Sequence, residues 1–146
     1  MIRRTFMGIS LMSILNLGNT KEINRENKAS KAIVIYFSRK GMNYWHGDTT
    51  NLAVGNTARM AKIIQEATGA DGWEIQPVHS YPFDYRQTTA EAQKEQEADA
   101  RPEFKLPMPD LAQYDLIIFG HPIWLSEMPM VVRTFLDKSN LSGKKI

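Results

Sequence analysis

The residues with the most chemistry in them stand in two short stretches, Ser38 with Gly55-Asn56-Thr57-Ala58, and Gly120-His121-Pro122-Ile123-Trp124. Gly-Asn-Thr ahead of a helix-forming segment puts unpaired backbone N–H groups at a helix start, where free donors and the helix dipole both favour an anion. The hydroxyls of Ser38 and Thr57 add two further donors, and a glycine at 55 lets a ligand approach the backbone closely. The pattern is neither a Walker loop nor G-x-G-x-x-G, and by itself it is more often a plain N-cap. Trp124 comes just after a buried strand, where an indole can lie flat on a planar ligand or cover the core beneath the next helix. Phosphate donors and a stacking ring, both at carboxyl ends of strands in an α/β sheet, together imply a phosphorylated planar cofactor.

Other constellations carry less. The chain has no cysteine, which excludes thiolate catalysis, disulfides and thiolate metal sites. His46, His79 and His121 lack metal-ligand spacing and read as structural or surface residues. Glu91, Glu95 and Asp99 follow one another at i, i+4 and i+8, the pattern of a solvated helix face. No nucleophile stands beside a base, which argues against hydrolysis. A formal charge of +2, with Lys and Arg spread along the chain, argues against nucleic acid as a partner.

The two stretches need a scaffold. Asp115 to Gly120, with Leu116, Ile117, Ile118 and Phe119 in sequence, reads as a strand buried on both faces. Ala32 to Phe37 is a β-branched, apolar first strand and belongs at the centre of the sheet. Ser38 to Gly55 reads as a long irregular loop of functional use, in which Trp45 either covers a cofactor or anchors the loop. A helix is expected from about Thr57 to Thr68, with Ala58, Ala61, Ile64 and Ala67 on its apolar stripe and Met60 and Ile63 widening it. Asn56 or Thr57 is its expected cap, and Gly69 its stop. Gly72 to Val78 alternates as a second strand nearer an edge. Tyr81 to Tyr85 is a turn with aromatic anchors, Thr88 to Ala100 a solvated helix, and Met128 to Lys138 a final helix. Strands alternating with helices predict an α/β fold with a parallel sheet covered by helices. At 146 residues, 42% of them hydrophobic, one domain with a real core is expected over 31–146.

Residues 1–30 are expected to stand apart as an export-signal-like segment and linker. Arg3-Arg4-Thr5-Phe6-Met7 resembles a twin-arginine signal, and the apolar stretch from Phe6 to Leu17 is too short to span a bilayer. Export is therefore the expectation, with a cytoplasmic protein whose N-terminal helix or uncleaved anchor contacts a membrane through residues 6–17 as the alternative.

Tyr36-Phe37-Ser38, Gly55-Asn56-Thr57 and Gly120-His-Pro-Ile-Trp124, with Met128-Pro129 downstream, together resemble the flavodoxin family, in its branch with a long insertion in the phosphate loop. Tyr81-Pro82-x-Asp84-Tyr85 and Arg101-Pro102-Glu103 are similar to that branch as well. The resemblance covers about Lys31 to Ile146. It implies a three-layer sandwich whose parallel sheet has strand order 2-1-3-4-5. It implies FMN as cofactor, its phosphate held by Ser38, Gly55, Asn56, Thr57 and Ala58. Pro122, Ile123 and Trp124 would then form the loop against the isoalloxazine, with Trp124 stacked on it. The implied activity is that of an electron carrier or small flavin oxidoreductase, serving a redox partner protein or a small-molecule acceptor. Two alternatives are a fragment with no redox role and a phosphate-ligand module using only Gly55 to Ala58. The family's fourth strand should begin at Gly143-Lys144-Lys145-Ile146, so strands 2-1-3 are expected to be present and strands 4 and 5 to be missing. The Asp115–Gly120 strand would then be an open apolar edge, prone to self-association.

Overall fold

A computed structural model describes residues 31–146; the export-signal-like segment and its linker lie outside the described residues. The organising strand is β1, Ala32–Tyr36, in which Ile33, Val34 and Ile35 are almost fully buried. A run of β-branched residues suits a strand that must be apolar on both faces. It pairs in parallel with β4, Asp71–Glu74, on one side and with β5, Leu116–Gly120, on the other, giving the order β4-β1-β5. This is the 2-1-3 arrangement expected of the first three parallel strands.

Side chains alternate across β1, so the sheet has two unlike faces. Ile33, Ile35 and Phe37 join Ile75, Ile117 and the helix α3, Met130–Lys138, in one apolar cluster. Phe135 of α3 is fully buried there, stacked 5.9 Å from Phe119 and in contact with Trp73 and Phe104. On the other face α1, Asn56–Thr68, lies against β1 and β4 and fully buries only Ala61. Its Met60 and Ile63, expected to widen the buried stripe, are 58% and 59% exposed.

Three expectations need correction. The stretch after Ser38 is not irregular: β2, Gly41–Trp45, and β3, Asp48–Leu52, form an antiparallel hairpin separate from the main sheet. His46 and Gly47 at its tip both take positive φ, 49° and 92°, the pattern of a two-residue loop that matches strand twist. Helix α2 runs Tyr85–Glu97, three residues earlier than expected at its start, because the Asp84 carboxylate caps it by accepting from the Gln87 amide at 2.9 Å. The β5 edge is not open along its whole length. Lys145 bridges Leu116 in parallel, and the Ile117 amide donates to the Lys145 carbonyl at 2.8 Å, so one isolated bridge covers the start of that edge. The edge from Ile118 to Gly120 carries no such bridge among the described residues.

Candidate functional site

The carboxyl ends of β1 and β5 are adjacent, and both informative stretches leave from them. After β1 the chain passes through Ser38 and Arg39 into the hairpin, and it returns through Gly55 into α1. Gly55 is the N-cap of α1 in extended backbone at φ −66°, without a side-chain cap of its own. The expected cap from Asn56 or Thr57 is replaced by Ser38, whose Oγ accepts from the Ala58 amide at 3.1 Å across twenty residues of chain. A hydroxyl that accepts one bond keeps its own proton free to donate. The amides of Asn56 and Thr57 have no protein acceptor among the described residues. Together these donors form a cup at the helix start.

The cup is narrow by construction. A Cβ at Gly55 would stand 2.3 Å from Ser38 Oγ and 2.4 Å from the Arg39 carbonyl oxygen. Glycine is required here for close approach of two backbone segments, since its φ is one that any residue can adopt. Gly120 plays the matching part at the end of β5, where the methyl of Thr57 would lie 3.3 Å from an added Cβ. The start of α1 therefore rests on the end of β5, and the cup adjoins the loop that carries Trp124.

That loop is built differently. The Trp124 amide donates to the Glu127 carbonyl at 2.8 Å and the Glu127 amide donates back at 2.9 Å. Between them Leu125 and Ser126 hold φ values of 49° and 68°, a left-handed pair without a glycine and therefore strained. Two supports hold the strain in place. Gln96 of α2 donates to the Trp124 carbonyl at 3.1 Å. The indole packs edge-to-face on Tyr81 and Phe37, with ring centroids 4.8 and 5.4 Å away. Tyr81 in turn donates its hydroxyl to Glu95 at 2.9 Å. Burial, reinforced by the Glu95 charge, pushes the Tyr81 phenol far above its ordinary value, so it remains a donor. Burial also raises the Glu95 carboxyl, although the Tyr81 bond opposes it. Glu95 is thus a half-buried brace, not part of a solvated face.

Ser38, Asn56, Thr57, Pro122, Ile123 and Trp124 line one cavity of about 230 Å³. Gly55 and Ala58 open instead into a neighbouring hollow of about 510 Å³, which shares Ser38 and Arg39 with the first. The structure thus brings six of the eight sequence-selected residues into one space and sets two behind the wall they share. Sequence reading missed the rest of the lining. Asn43 and Tyr44 come from the hairpin, and Tyr85, Thr88, Thr89 and Ala92 from α2. A helix beginning at the Asp84 cap was the available signal for Tyr85 and Thr88. Trp45 stands at the hairpin tip against His46 and does not line the cavity. His121 bonds only the neighbouring Pro122 carbonyl, and no group of three or more His, Asp or Glu close enough to hold a metal occurs among the described residues.

Arg39 is the other residue that sequence reading passed over. The residue is 9% exposed. It donates to the carbonyls of Pro82 (2.8 Å), Phe83 (3.2 Å) and Met42, while Nε finds no partner. These bonds, with the Met42 amide donating to Phe83, fasten the hairpin to the turn before α2. Burial lowers the guanidinium pKa, and Asp84 partly offsets this.

Residues 49–146 match the model of a family described as flavodoxin. No curated protein sequence matches the chain. Among solved structures, a candidate flavoprotein from Bacteroides eggerthii is 29% identical over 79% of this chain, with a TM-score of 0.62. One from Bacteroides uniformis is 31% identical over 80%, also at 0.62. A flavoprotein from Lactobacillus acidophilus, solved in complex with FMN, is 25% identical over 75%, at 0.59. The chain spans 66%, 69% and 66% of the lengths of these three proteins. The parallel β4-β1-β5 sheet, the glycine-gated cup on its rim and the match over residues 49–146 agree: this chain belongs to the flavodoxin family.

Proposed function

We propose that the chain binds FMN across the two rim loops and acts in electron transfer, as a carrier or as a small flavin oxidoreductase. The observation that carries this reading is the shared cavity, which Asn56 and Thr57 of the helix start and Trp124 of the second loop line together. The residues suit the group. Free amides and the Ser38 hydroxyl are donors for a phosphate, Gly55 lets Ser38 close on the helix start, and an indole with a proline and an isoleucine beside it supplies an apolar wall for a flat ring. At about 230 Å³ the cavity lies just below the ~300–1,000 Å³ usual for small-molecule sites, so a ligand of this class leaves part of itself at the mouth. Ile123 and Leu125, 76% and 43% exposed, border that mouth and offer an apolar landing place for a redox partner or acceptor.

Bound FMN would supply one- or two-electron chemistry; the chain's residues bind, orient and shield it. Ser38, Asn56 and Thr57, with Gly55 and Ala58 behind them, would hold the phosphate end. Trp124, fixed by Tyr81 and Phe37, would set the ring plane, and Pro122 and Ile123 would exclude water from its edge. The relative solved with FMN supports the choice of cofactor, and the family supports the class of activity.

The test is a titration of purified protein with FMN, followed by flavin absorbance and fluorescence. A yellow complex with quenched fluorescence is expected; protein that stays colourless at high micromolar FMN contradicts the reading. A second reading, a phosphate-ligand module without flavin chemistry, draws on the edge-to-face packing of Trp124 with Phe37 and Tyr81, which makes the indole part of the core. Binding of inorganic phosphate with no preference for FMN would favour it.

A further inference from the structure

Glu95 stands in a place that does not suit a carboxylate. It is half-buried, Glu91 adds like charge nearby, and no Lys or Arg comes within ion-pair distance of it among the described residues. Taking a charge out of water without a counter-ion is costly. Its hydrogen-bond partner is the Tyr81 hydroxyl, which donates at 2.9 Å. A glutamine would accept the same bond and brace the phenol without carrying a charge. What a carboxylate adds is the capacity to take the phenol's proton, and a heavy-atom separation of 2.9 Å is within reach of that transfer.

The ring that makes this bond is placed with equal economy. Tyr81 packs edge-to-face on Trp124 with centroids 4.8 Å apart, and Phe37 touches both rings at 5.8 and 5.4 Å. Trp124 lines the cavity, whereas Tyr81 lines the neighbouring hollow. In a chain without cysteine, indole and phenol are the side chains that give up a single electron most readily. A phenol does so more readily still when its proton can leave at the same time. Trp124 and Tyr81 therefore join the two spaces through rings in contact, with a proton acceptor at the far ring.

We propose that Trp124, Tyr81 and Glu95 form a path that carries one oxidising equivalent out of the cavity and into the neighbouring hollow, with Glu95 taking the phenol proton. The oxidant is an oxygen-centred radical that reaches the cavity. It takes one electron from the Trp124 indole and becomes its anion, leaving the indole radical cation. Tyr81 then returns an electron to the indole while its O–H proton moves to the Glu95 carboxylate. The products are a neutral Trp124, a Tyr81 phenoxyl radical and a neutral Glu95 carboxylic acid, so the summed charge of the three groups is unchanged by this step. A thiolate from solution, meeting Tyr81 through the hollow, supplies the last electron and becomes a thiyl radical as the proton returns from Glu95. Burial raises the Glu95 carboxyl, which makes its carboxylate the stronger base. The path spares the cavity wall from oxidation and needs no bound cofactor, so it goes beyond the flavin reading and fails or stands apart from it.

Azide radicals made by pulse radiolysis oxidise indoles in the purified protein without flavin, and the indole-radical and phenoxyl absorbances are followed in time. All proteins carry Trp45→Phe, because Trp45 is 42% exposed and does not line the cavity. Decay of the indole radical, matched by growth of phenoxyl and independent of protein concentration, is expected. Tyr81→Phe and Trp124→Phe should each lose this phase. Glu95→Gln keeps an acceptor for the phenol and should slow the phase about tenfold or more. A phase that survives in Tyr81→Phe or Trp124→Phe would mean that other rings carry it, and overturns the proposal. So does an equal rate in Glu95→Gln. Folding is checked by near-UV circular dichroism, and where a variant does not fold, the Trp45→Phe protein in heavy water decides: a slower phase supports proton transfer to Glu95, and an equal rate overturns it. Protein that stays colourless with FMN yet shows the phase upholds the path and rejects the flavin reading, and a yellow complex whose apoprotein lacks the phase does the reverse.

Discussion

The two loops on the rim solve the same problem, holding a few groups still at the end of a sheet, by opposite means. The cup is unstrained: Gly55 sits at an ordinary φ, and its lack of a side chain lets Ser38 and Arg39 close on it. The Trp124 loop is strained, with Leu125 and Ser126 at positive φ held by Gln96, Tyr81 and Phe37 from outside. A site for a small anion gains from close, cheap backbone packing. An aromatic wall has to be aimed, and aiming a large ring across a turn is where stored strain is useful. The first loop should therefore fail by crowding and the second by loosening.

Crowding gives the largest effect. Gly55→Ala pushes a methyl to within 2.3 Å of Ser38 Oγ, and overpacking of this kind costs about 1–3 kcal/mol. If that cost falls on the cup, phosphate and FMN affinity drop by roughly 5- to 150-fold, measured by titration, with a lower melting temperature. Ser38→Ala is milder. It leaves the Ala58 amide without its acceptor and should destabilise by about 0.5–2 kcal/mol, the range of lost helix caps, read from denaturant melts. A silent Ser38→Ala would break the idea that this hydroxyl caps α1.

The strained loop should respond with the opposite sign. Leu125→Gly relieves a left-handed φ in a non-glycine residue, worth about 1–3 kcal/mol, against about 0.5–1 kcal/mol of added glycine entropy. A rise in melting temperature is expected, with no gain in FMN affinity. A large fall would show that Leu125 is packed rather than strained.

The smallest effect concerns the brace. Burial raises the carboxyls of Glu95 and Glu74 above their ordinary 4.5. The folded protein therefore holds their protons more readily than the unfolded chain. The stability this brings is full below pH 4.5 and is lost as pH rises through the higher folded-state values. Asp71 and Asp99 are shifted down instead, chiefly by hydrogen bonds from Tyr114 and Arg101, and matter only below about their ordinary 3.8. Melting temperature should thus rise modestly as pH falls from 7 toward 4.5, and Glu95→Gln should flatten that rise.

How much of this could be read beforehand follows the same division. Ala32 to Tyr36 and Leu116 to Gly120 are apolar runs between clear breaks, and their strand state and neighbour relation were legible. The Gly55-Asn56-Thr57 start of α1 was legible as a donor cluster because glycine and polar caps have local signatures. The hairpin was not, since His46-Gly47 is a weak turn pair and its anchor, Arg39, acts through carbonyls distant in sequence at Pro82 and Phe83. The brace was misread for a related reason. Glu95 looks solvated on a helix pattern, and only Tyr81, fourteen residues away, draws it inward.

One measurement bears most directly on the claim that both loops grip one ligand. FMN binding to the unmodified protein and to Trp124→Ala is followed by fluorescence quenching, with inorganic phosphate as competitor. The account predicts that phosphate competes with FMN in the unmodified protein, and that Trp124→Ala loses quenching and FMN affinity while its phosphate affinity stays the same. FMN that binds with full quenching in Trp124→Ala, or that phosphate does not displace, would contradict it.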